Sequence, residues 1–81
     1  MTADQFKHLD EMEQIEAIWE AKKVAEREDS IYRYTLYQID SFYVEEHWHK
    51  EYDVRRAFES FTSDDELIRP YLGKIGVSKF L

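Results

Sequence analysis

The chain has 81 residues, enough for one small domain, with 18 acids, 11 bases and a formal charge of −7. It has no cysteine, which excludes a disulfide framework and a thiolate zinc site. The acid excess argues against nucleic acid as a partner, because phosphate-backbone binding needs a basic stripe. No apolar run approaches the roughly 20 residues of a membrane span, so no membrane partner is expected.

The N-terminus, Met1 to Gln5, has no basic stretch followed by an apolar one. A secretory signal is therefore not expected, and the expected location is the cytoplasm. A domain this size buries only about 60–65% of its unfolded surface. Thirteen aromatic side chains compensate, each able to bury roughly 150–250 Å². That aromatic content, with only two glycines and one proline, also argues against disorder.

In chain order, residues 3–22 predict a helix. Leu9, Met12, Ile15, Ile18 and Trp19 recur at spacings of three and four on one face. Asp10, Glu13, Glu16 and Glu20 fall mostly off that stripe. Thr2 with Gln5 fits a capping box, although Asp4 or Asp10 could also start the helix. Residues 1–30 hold nine acids and four bases, so the acidic helix face is either a solvating surface or a guide toward a basic partner.

Lys23 to Asp29 reads as an edge strand or a continuation of the helix. From Ile31 to Phe61 the chain is rich in β-formers. Ile31–Ile39 and Phe42–His49 alternate about a break at Asp40-Ser41, which predicts a hairpin. With Ile39 opposite Phe42, one face pairs Tyr37 with Val44, Thr35 with Glu46 and Arg33 with Trp48. The other pairs Gln38 with Tyr43, Leu36 with Glu45, Tyr34 with His47 and Tyr32 with His49. The first face is the more apolar and is assigned to the core. Tyr52 to Phe61 reads as a further strand, with Trp48 opposite Val54, Glu46 opposite Arg56 and Val44 opposite Phe58.

Ser63-Asp64-Asp65-Glu66 predicts a capped helix start. Leu67, Ile68, Tyr71, Leu72 and Ile75 follow at helical spacing, with a kink at Pro70. Phe80 and Leu81, in the tail Val77–Leu81, are expected to dock on the body. The expected fold is two-layer α+β: an N-terminal helix, a three- to four-stranded antiparallel meander and a C-terminal kinked helix, with both helices on one sheet face. The expected core is Leu9, Met12, Ile15, Trp19, Ile31, Tyr37, Ile39, Phe42, Val44, Trp48, Val54, Phe58, Leu67, Ile68 and Leu72.

The remaining sheet face is then open, and it carries the candidate partner-binding residues Tyr32, Tyr34, Leu36, Tyr43, Glu45, His47, His49 and Arg55. Tyrosine suits such a surface because it combines apolar area with a polar tip. Catalysis has little support. Ser41, Ser60, Thr62 and Ser63 lack a linked histidine and acid, and glycines only at 73 and 76 make no phosphate loop. No enzyme activity and no cofactor are expected. The leading expectation is a non-catalytic protein-interaction module, with a homodimer as one form.

Two alternatives stand beside it. His47-x-His49 on a strand, with Glu45 as third ligand, could bind or sense a metal; otherwise these are surface histidines on a solvated face. Tyr32, Tyr34 and Tyr43 could stack single-stranded bases, but their surroundings are mixed to acidic. The stretch Leu36-Tyr37-Gln38-Ile39-Asp40-Ser41-Phe42-Tyr43-Val44-Glu45, followed by His49-Lys50-Glu51, resembles small uncharacterised bacterial proteins over residues 9–75. That resemblance implies a bacterial origin and no assigned activity, and it carries over no functional residue.

Overall fold

A computed structural model describes residues 1–73 of the chain. Two short helices, α1 (Ala3–Lys7) and α2 (Glu11–Trp19), precede four strands. The strands are β1 (Lys22–Glu28), β2 (Tyr32–Ile39), β3 (Phe42–His49) and β4 (Val54–Phe61), and a 3-10 helix (Glu66–Tyr71) follows them. The strands form one antiparallel sheet in the order β1-β2-β3-β4. The architecture is α+β.

The single helix expected over residues 3–22 is two helices. Thr2 caps α1 in a full capping box with Gln5, and Asp10 caps α2 in a second one with Glu13. The second cap ends the first helix, since its extended backbone (φ −72°, ψ 169°) cannot continue a helical turn. The break rotates α2, so that Ile18 becomes its buried residue while Met12 and Trp19 face outward.

The β2–β3 hairpin keeps the expected register at every pair from Ile39–Phe42 to Tyr32–His49. Asp40 takes φ 50° at its turn, a left-handed conformation that aspartate tolerates better than most side chains. Asp29 shapes the preceding turn by accepting the Ile31 and Tyr32 amides at 2.8 and 2.7 Å. β1 is a strand, resolving that alternative.

β4 differs from expectation. His47 pairs with Ala57 and Trp48 with Arg55, so Arg56 is an extra, bulged residue. Glu46 faces Phe58, and Arg55 lies on the Val44 side, where its Nε donates to Glu46 at 3.0 Å. The salt-bridge partner of Glu46 is therefore Arg55 and not Arg56. Tyr52 belongs to the β3–β4 turn rather than to β4. A second bulge makes Val24 the extra residue of β1. Bulges on both outer strands, together with their charges, discourage pairing with further strands.

The helices do not share one face. α1 and α2 bring Phe6 and Ile18 onto Phe42 and Val44, joined by Ala3, Leu9, Ala17, Tyr37, Ile39 and Phe58. Phe6 lies edge-on to Phe58, with ring centroids 5.9 Å apart. The 3-10 helix brings Ile68 and Tyr71 onto the opposite face, against Leu36, Tyr43 and Phe61. The sheet is thus sandwiched, in place of the two layers expected. Asp65, not Ser63, caps the 3-10 helix. The later start and tighter winding bury Ile68 and leave Leu67 exposed.

Met12, Trp19, Ile31, Val54 and Leu67 of the expected core are exposed. Phe6, Ile18, Leu36, Tyr43, Phe61 and Tyr71 are buried instead. The predicted docking of Phe80 and Leu81, and the place of Ile75, fall outside the described residues.

Candidate functional site

The eight residues expected to form one open surface divide into three groups. Leu36, Tyr43 and Glu45 are buried beneath the 3-10 helix. Arg55 lies across the sheet, between Glu46 and Glu11. Tyr32, Tyr34, His47 and His49 remain together, half-exposed, on the half of the face that the 3-10 helix leaves open.

These four rings form a ladder. Tyr32 and Tyr34 alternate along β2, and His49 and His47 stand opposite them on β3. Each histidine meets its tyrosine edge-on, with centroids 5.3 Å apart for Tyr32–His49 and 5.1 Å for Tyr34–His47. Directly opposed side chains on one face of an antiparallel pair meet in this way. The exposed Tyr52 extends the ladder from the β3–β4 turn, packing 4.5 Å from His49 while its amide donates to His49 Nδ1. Sequence reasoning placed Tyr52 at the start of β4; the turn at Glu51–Asp53, with Asp53 at φ 55°, swings it back onto the ladder.

Below the ladder lies a buried polar cluster. Glu45 is 2% exposed, and a carboxylate so enclosed must be paired and hydrogen-bonded. Its Oε1 accepts from His47 Nε2 at 2.7 Å. Its Oε2 accepts from Arg27 Nη2 at 3.2 Å and from the Tyr71 hydroxyl. Burial by itself would raise the Glu45 pKa. The bonds from His47 and Tyr71 and the Arg27 charge outweigh it, holding the carboxyl below its ordinary value. Tyr71 is fully buried, and burial followed by the Glu45 carboxylate pushes its hydroxyl far above the ordinary range. The phenol therefore stays protonated as a donor.

Arg27 joins cluster and ladder. Its guanidinium lies 3.8 Å from the Tyr34 ring centroid and 5.5 Å from that of Tyr71. The Tyr34 hydroxyl donates to Asp29 at 2.9 Å. Sequence reasoning missed Arg27, Asp29 and Tyr71. No local signal points to them, because Glu45 alternates onto the face that the pattern assigns to solvent.

The arrangement bears on the two alternatives. Glu45 is already occupied by three donors, His47 Nε2 is engaged by Glu45, and no group of three or more metal-ligating side chains occurs among the described residues. For base stacking, Tyr43 is buried against Phe61, and Arg27 covers one face of Tyr34. No helix among the described residues is long and apolar enough to cross a membrane. Comparison of the chain with protein-family models, with curated proteins and with solved structures finds no match in any of the three.

Proposed function

We propose that the chain is a non-catalytic interaction module of the cytoplasm, and that a protein partner docks on the ladder of Tyr32, Tyr34, His47, His49 and Tyr52. The observation that carries this reading is the contiguity of these rings on a half of the sheet face that no described helix covers. Tyrosine contributes contact area with few rotatable bonds, so little entropy is lost on binding. The cross-strand edge contacts and the Arg27 stack preorganise the rings further. Glu45 supports the non-catalytic reading, because its two oxygens already accept from three donors and it is buried beneath Tyr71.

Quantitative affinity capture from the native cell extract, comparing the wild type with the double variant Tyr32→Ser/Tyr52→Ser, tests this. The expected outcome is a partner enriched by the wild type and lost from the variant, with an unchanged circular dichroism spectrum. The same protein set on both baits removes the ladder as the binding surface. Light scattering at high concentration decides whether the partner is a second copy.

A further inference from the structure

We propose that α2 is a second docking element, whose Trp19 and Met12 insert into an apolar cleft of a protein partner rimmed by lysine and arginine. It lies across the sheet from the ladder and stands independently of it. Trp19 is 76% exposed and Met12 63%. The indole makes no hydrogen bond or ring contact among the described residues. The two side chains are seven positions apart and so share one helix face, with the half-buried Ile15 between them. Anchors at such a spacing are how a helix seats in a partner's groove. Tryptophan is also the residue most enriched among those that dominate binding energy.

The rim sets the partner's sign. Glu16 and Glu20 are exposed beside the stripe, and no base occupies the last turn of α2. Glu13 closes the capping box, and Glu11 is the acid that approaches Arg55, at 3.8 Å. Glu16 and Glu20 are left facing outward, alongside a shallow groove floored by Met1, Leu9 and Ala17. A second copy would bring like charges together, each chain carrying −7, which disfavours self-association through this face. A basic rim around an apolar cleft satisfies both the stripe and the acids.

The test is in-cell photo-crosslinking in the native host from the full chain carrying Met12→benzoylphenylalanine. The expected result is a discrete adduct with another protein, mapped by peptide sequencing to an apolar site flanked by lysine or arginine. Adding Trp19→Ser should reduce it roughly tenfold or more. In extract, raising NaCl to about 0.5 M, which screens exposed charges, should reduce it several-fold. An adduct with a second copy, an adduct indifferent to Trp19→Ser, or no adduct overturns the proposal. Because both positions are exposed, unchanged thermal melting verifies that the variants fold. Adding Tyr32→Ser/Tyr52→Ser separates the two surfaces, since loss of the ladder leaves the α2 adduct intact.

Discussion

The two faces of the sheet are closed by different means. On the α1/α2 face, Phe6, Ile18, Phe42 and Val44 make an apolar contact whose strength scales with the area removed from water. On the opposite face, the 3-10 helix seats Ile68 and Tyr71 over Leu36 and Tyr43, and is pinned by a phenol on a buried carboxylate. The first closure tolerates exchange of one apolar group for another of similar volume. The second depends on a set of donors arriving together, since a buried carboxylate that loses them bears its full desolvation cost. A short 3-10 helix covers Leu36, Tyr43 and Glu45 and stops before Tyr32, Tyr34, His47 and His49.

Substitutions at the two closures should separate in kind before they separate in size. Phe6→Ala should cost about 3–5 kcal/mol, the range for a buried phenylalanine, and lower protection from hydrogen exchange throughout the chain. Glu45→Ala should cost about as much, because Arg27 loses its carboxylate and Tyr71 its acceptor. It should release the amides of Ile68 and Tyr71 first, at denaturant concentrations where the sheet stays protected. Equal loss everywhere in both variants would erase the distinction between the faces.

Smaller effects sharpen the comparison. Tyr71→Phe keeps the packing and removes one bond to a charged group, so chemical denaturation should show a loss of about 1.5–3 kcal/mol. Asp10→Ala removes the cap that divides α1 from α2 and should cost about 1 kcal/mol. At the low end, Trp19→Ser should stay within about 0.5 kcal/mol of the wild type, as an exposed substitution does. In the wild type the exposed Trp19 indole should be quenched by caesium more than by iodide, because Glu20 adjoins it in the chain and Glu16 lies one helical turn before it.

The parts of the fold legible in the sequence are those governed by strict alternation. Every pair of the β2–β3 hairpin followed from setting Ile39 opposite Phe42, because period two fixes all later pairs once one is placed. β4 failed in two steps: Val54 faces His49 rather than Trp48, which puts Arg55 on the face of Glu46, and the bulge at Arg56 then adds a second shift that sets Glu46 opposite Phe58. The long helix failed because two capping boxes compete within ten residues, and the second one turned Met12 and Trp19 out of the core. Of the candidate surface, the cross-strand pairs Tyr32–His49 and Tyr34–His47 were visible. Which half of the face was covered was not, because Glu45 looks like a solvent-facing acid until its donors are known. Two of these, Arg27 and Tyr71, lie 18 and 26 residues away, and no local pattern links them.

Glu45 is thus an ionised carboxylate, held by Arg27, His47 and Tyr71 beneath the 3-10 helix. A carboxyl whose pKa is lowered in the folded state stabilises the fold above its unfolded pKa. That contribution is lost as pH falls through the folded value. Tyr71, raised in the folded state, sets the opposite limit: its contribution is present below the unfolded value of about 10 and declines above it. The charge state of Glu45 is read by following its side-chain carboxyl carbon by NMR as a function of pH. The midpoint should lie below the ordinary 4.5 and move upward in Tyr71→Phe. A midpoint above 4.5 in the wild type, as for a buried carboxyl without its donors, would contradict that charge state.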